Sequence, residues 1–168
     1  MIEMKVSGIV LDPQSRSPIV VLRDMPERRA LMIWIGPPEA NAIMLAIENV
    51  PLARPATHDL LVNSIQHLGG TVHSVVVNRM EENTFFAVLR VNTKAGKQIE
   101  IDSRPSDAVA VALRTESPIF VAEEVMATSS IPINPAQEEQ EAKDFRDFIQ
   151  NIKPSDFIDR THERGDIN

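Results

Sequence analysis

Three places in this chain bring an acid to a helix start just after a proline turn: Glu39 after Pro37-Pro38, Asp59 after Arg54-Pro55, and Asp107 after Arg104-Pro105. Two of the three carry an arginine directly before the proline. The third is the densest, since Asp102-Ser103-Arg104-Pro105-Ser106-Asp107 packs two carboxylates, two hydroxyls and a guanidinium into one elbow. Helix N-termini favour anions because unpaired N–H groups and the macrodipole point there. If the fold gathers these corners, Glu39, His58, Asp59, Asp102 and Asp107 form one cluster, rimmed by Arg54, Arg104 and the hydroxyls of Thr57 and Ser103. Carboxylates with one imidazole suit Mg²⁺ or Mn²⁺, and arginines suit bidentate capture of phosphate. The plainer account is capping chemistry, with Ser103 or Ser106 as one N-cap and Thr57 as another.

The elements that must position these residues follow from periodicity. Residues 2–11 and 18–23 are apolar, β-branched runs joined by a turn-rich loop, which predicts a hairpin. Ala30 to Ile35 is a third strand expected to be buried on both faces, with Trp34 in the core. From Glu39 to Val50 the apolar residues Ala40, Ile43, Met44, Ile47 and Val50 recur at helical spacing, and Leu60, Leu61, Ile65 and Leu68 mark the expected buried face of a second helix. Residues 71–78, 84–92 and 98–101 read as three antiparallel strands, followed by a helix from Ser106 to Arg114, a short strand at 118–121 and an acidic turn or short helix at 122–126. Three strands, two helices, three strands, a helix and a short strand make an α+β fold with a mainly antiparallel sheet. Glu39-Ala40-Asn41-Ala42 and Asp107-Ala108-Val109-Ala110 each open a helix after three strands, a faint internal echo.

Residues 1–128 are expected to form the domain, and 129–168 a linker, an amphipathic helix over 136–152 and a polar tail. The stripe Ala142, Phe145, Phe148, Ile149 and Ile152 on that helix wants a surface: its own domain, a second subunit or a partner protein. With 168 residues and 43% apolar content the chain can bury one full core. Having no cysteine, it has no disulfide and no thiolate metal site. A net charge of −7 argues against a broad basic groove for nucleic acid. The imbalance is uneven, because residues 1–128 hold 12 basic and 15 acidic side chains while 129–168 hold 5 and 9. A local basic site is compatible with that division. The opening residues alternate like a strand and no apolar run reaches spanning length, so a cytoplasmic protein with no membrane partner is expected. No H-E-x-x-H, P-loop, G-x-S-x-G or dinucleotide glycine fingerprint occurs.

Read together, Trp34-Ile35-Gly36 to Glu39-Ala40, Arg54-Pro55-x-Thr57-His58-Asp59-Leu60, Thr84-Phe85-Phe86-Ala87 and Asp102-Ser103-Arg104-Pro105-Ser106-Asp107-Ala108 closely resemble the bifunctional nuclease family. The resemblance spans residues 3–127. It implies an α+β fold and hydrolysis of phosphodiester bonds, the name coming from plant proteins credited with cleaving both DNA and RNA. On that reading His58 is the proton carrier, with Asp59, Asp102 and Asp107 as further catalytic candidates. Glu39, Asp102 and Asp107 hold a divalent metal, and Arg54, Arg104, Thr57 and Ser103 face the phosphate. The alternative is a non-enzymatic ligand- or protein-binding module, with a homo-oligomer among its forms, in which the same polar residues pair with one another.

Overall fold

The chain leaves the sheet twice through a proline corner, and those two exits set the rest of the architecture. Strands β1 (Ile2–Leu11), β2 (Pro18–Asp24) and β3 (Arg29–Trp34) form one antiparallel meander, and β4 (Thr71–Glu81), β5 (Thr84–Asn92) and β6 (Gln98–Ser103) form another. After β3 the chain turns at Gly36 into helix α1 (Pro37–Ile47) and continues to α2 (Thr57–His67). After β6 it turns at Arg104 into α3 (Pro105–Thr115). Strand β7 (Ile119–Val121), helix α4 (Glu123–Ser129) and strand β8 (Ser130–Pro132) complete the elements. This computed structural model describes residues 1–134 and Lys143. The amphipathic helix expected at 136–152 and the tail expected at 160–168 lie outside the described residues.

The eight strands make one sheet in the order β6-β5-β4-β7-β1-β2-β3-β8. Among the described residues only β4 and β7 pair in parallel, Val75 opposite Ile119, while every other neighbouring pair is antiparallel. A mostly antiparallel α+β fold with four helices is therefore what the described residues form. Helix α4 runs through Ser129, and the residues just after it pair with β3 through Ile131 opposite Ala30.

Continuous apolar runs become strands with both faces covered. In β2, Val20 and Leu22 enter the main core while Ile19 and Val21 join Ala30 in a smaller cluster. Helix α3 buries Ala108 through Ala112 without a break. Its alternating alanines and valines, good and tolerable helix formers, let it pack closely against α1, α2 and the sheet.

Two sequence expectations about faces are corrected. Trp34 is not core: at the end of β3 it is 58% exposed. Helix α2 does not bury its leucines, since Leu60 and Leu68 are 60% and 87% exposed, and its one buried residue is Val62. The inward stripe instead runs through His58, Val62 and Ile65, spaced four and three apart. That rotation carries an imidazole toward α3. Among the described residues no helix is long and apolar enough to cross a membrane.

Candidate functional site

All three proline-led acids occupy the same helical position. Gly36, Ala56 and Arg104 are the N-caps of α1, α2 and α3, so Glu39, Asp59 and Asp107 are each the third residue of their helix. None of the three caps makes a side-chain capping bond, and Thr57, Ser103 and Ser106 are not the caps expected of them. Acids in a first turn are favoured by the helix field. From that common start their surroundings diverge.

Asp107 lines a cleft of about 840 Å³. Its Oδ1 contacts His58 Nε2 at 2.9 Å, and Arg104 donates from Nε to Oδ2 at 2.7 Å and from Nη2 to Oδ1 at 3.2 Å. Arg104 Nη1 donates to Glu39 Oε1 at 3.0 Å. The result is a continuous chain, His58–Asp107–Arg104–Glu39, drawn from the starts of all three helices. Partial burial pushes the Asp107 carboxyl up, and the hydrogen bonds and charges of Arg104 and His58 outweigh it, so the group sits below the usual carboxylate value. Its two carboxylate partners raise the Arg104 guanidinium, Asp107 first and then Glu39.

Thr57, Asp102 and Ser103 line the same cleft, whose opposite wall is apolar: Leu45, Leu61, Ile65, Leu89 and Ile101. Asp102, next to last in β6 and opposite Val88, is exposed and makes no ion pair among the described residues. The Ser103 hydroxyl donates to the Arg104 carbonyl at 3.0 Å. Asp59 and Arg54 are not brought into this cleft. Arg54 is exposed on the loop before α2. Asp59 accepts from the Ala56 N–H at 2.8 Å and from Arg114 Nε at 2.6 Å, on the far side of α2.

Arg114 is the polar residue that sequence reasoning missed. Only 10% exposed, it also donates to the carbonyls of Ala42 and Ala110, so one guanidinium ties α1, α2 and α3 together. Its signal was present: it follows an unbroken apolar run, Ala108 to Leu113, and lies two turns from Asp107 on the same helix face. The hydrogen bond from Arg114, ahead of the opposing effect of burial, holds the Asp59 carboxyl below its usual value.

As folded, the expected metal ligands do not fit a divalent ion. Among the described residues no three His, Asp or Glu side chains are grouped closely enough to hold one, and the Arg104 guanidinium already spans Glu39 and Asp107. A cation bridging those two acids has to displace it first.

Comparison with known proteins sets this geometry in a family. An uncharacterized protein of Mycobacterium tuberculosis is 36% identical over 163 residues, covering 92% of this chain and 97% of its own length. Bifunctional nuclease 2 of Oryza sativa subsp. japonica is 35% identical over 109 residues, and Bifunctional nuclease 1 of Arabidopsis thaliana 31% identical over 108. Each plant match takes in 62% of this chain and 33% of the plant protein. The bifunctional nuclease domain matches residues 20–134, a span containing every residue of the cleft, and the chain belongs to that family.

Proposed function

We propose that the protein is a nuclease that hydrolyses phosphodiester bonds of DNA or RNA in the cleft between the three helix starts. The observation that carries this reading is the His58–Asp107 contact inside that cleft. An ionised Asp107 accepts a hydrogen bond from Nε2–H, which leaves Nδ1 as the nitrogen able to take a proton from water or return one to a leaving oxygen. Asp107 thus orients His58 and favours its charged form in the transition state. Arg104 spends three of its five N–H groups on Glu39 and Asp107, leaving two for a phosphate oxygen. The Thr57 hydroxyl and the first-turn N–H groups of α2 add donors at the same rim.

The test is cleavage of short single-stranded DNA and RNA by the purified chain, by His58→Ala and by Asp107→Ala, each with chelator and with Mn²⁺. Loss of cleavage in both variants is expected. Cleavage that persists in both would sink the reading, and wild-type activity abolished by chelator and restored by Mn²⁺ would return Glu39, Asp102 and Asp107 to a metal role. The competing reading, a non-enzymatic binding module, draws on the same pairing of Arg104 with two acids. It expects Arg104→Ala to lower the melting temperature without removing any cleavage signal.

A further inference from the structure

A second cleft, of about 520 Å³, opens on the other side of the Arg104–Glu39 bridge, and those two residues line both. Trp34, Phe85 and Ser106 line it, with Asn83 of the β4–β5 turn and Thr84 of β5. Trp34 is fixed there by the sheet, opposite Ile19, with the following Ile35 N–H donating to the Pro18 carbonyl at 2.9 Å. Leaving more than half of an indole in water is unusual for so large an apolar group, and this one borders a cavity. The second observation is Ser106, which is 7% exposed and whose hydroxyl has no hydrogen-bond partner among the described residues. A hydroxyl in the wall of a cleft with no partner in the protein can donate to or accept from a group that enters.

We infer that this cleft is a base-binding subsite, in which a nucleobase next to the phosphate held at Arg104 stacks on Trp34 and meets the Ser106 hydroxyl with an edge acceptor. The inference rests on the nuclease reading and adds to it the place of a flanking base. Continuity through Arg104 is what selects the occupant. A strand whose phosphate engages that guanidinium from the catalytic side has its next residue delivered to the Trp34 side, and stacking on an aromatic face accepts any base.

Trp34 is the sole tryptophan of the chain, so its emission reports on this cleft directly. The experiment titrates the full-length protein with a labelled short single-stranded oligonucleotide and with an abasic counterpart carrying the same phosphates, reading Trp34 emission and label anisotropy together. The oligonucleotide is expected to quench Trp34 and to bind more tightly than the abasic strand. Trp34→Ala is expected to weaken oligonucleotide binding about five- to hundredfold while leaving abasic binding unchanged, with Trp34→Phe recovering part of the loss. Ser106→Ala should weaken binding less and keep the quench. Binding without quenching, and with Trp34→Ala indistinguishable from wild type, overturns the subsite while leaving the nuclease reading intact. No binding of either strand overturns both. Emission that shifts on dilution without ligand, in step with a change in sedimentation, assigns the exposed ring to contact between copies and also overturns the subsite.

Discussion

Asp59 and Asp107 begin from the same local chemistry and end in different occupations. Each is the third residue of a proline-led helix, and each pairs with an arginine at hydrogen-bonding distance. The difference lies in the arginine. Arg114 is 10% exposed and spends its remaining contacts on backbone carbonyls of two helices, so the Asp59 pair is a clamp between helices that lies outside the cleft holding Asp107. Arg104 is 65% exposed and shares Asp107 with His58 on the wall of a cleft. A surface ion pair contributes little to stability, whereas breaking a desolvated one from one side leaves an uncompensated charge. The lesson is that a helix-start acid is read by the burial of its counter-ion and not by its own motif.

That contrast breaks first, and with the largest effect, at Arg114. Arg114→Ala strands Asp59 and two carbonyl contacts, and is expected to cost about 3 kcal/mol in urea unfolding, with cleavage per folded molecule preserved. The converse change is Asp107→Asn, expected to cost under about 1 kcal/mol of stability while cutting cleavage by roughly a hundredfold or more. An Arg114→Ala protein that melts like wild type but no longer cleaves would reverse the assignment of the two pairs.

Much of this could be read in the residues before the fold was known. The alternation of 2–11, 71–78 and 84–92 gives strands because a half-buried strand has a period of two, and the proline corners mark where helices begin. What failed was information held in distant contacts. Strand β7 has three residues, and nothing local says that it enters between β4 and β1. The face of α2 was misread because Leu60, Leu61 and Leu68 outnumber the stripe that packs, while His58 and Val62 are set inward by partners on α3 and the sheet. Trp34 reads as core because it belongs to an apolar run expected to be covered on both faces, although it sits at the strand end where cover is lost. In the candidate site, Glu39, His58, Asp107 and Arg104 were legible as helix-start chemistry. Asp59 has the same signature and was indistinguishable from them, because its partner Arg114 is 55 residues away in sequence.

Acidity should sharpen the comparison more gently. Both carboxyls titrate below their usual value of 3.8 in the folded chain. A carboxyl lowered by folding contributes stability that is fully present above its unfolded value and is lost as pH falls through the folded one. Wild-type stability is therefore expected to drop as pH is lowered from about 5 toward 2. Arg114→Ala removes the Asp59 share of that slope and should flatten the profile, whereas Arg104→Ala exposes Asp107 to water and should flatten it less. Equal flattening by both variants in urea midpoints measured across that range would mean that the two pairs are energetically alike.

The smallest effect is expected at Gly36. Its backbone, at φ −78° and ψ 161°, is open to any residue, yet a Cβ there would lie 2.2 Å from Glu39 Oε2. Because the obstructing atom is the end of a flexible side chain, Gly36→Ala should shift the Glu39 carboxylate off Arg104 and change stability by no more than about 0.5 kcal/mol. Arg104 is then held by Asp107 alone, with one more N–H free, while no charge in the cleft has been altered. If Glu39 serves to restrain the guanidinium, the Michaelis constant for an oligonucleotide should change a few-fold at nearly constant turnover, since what moves is a binding group and not the proton carrier. A matching fall in turnover would show that the Glu39 bridge fixes Asp107 and His58 as well, and would extend the cooperative cluster from the His58–Asp107 pair to all four residues.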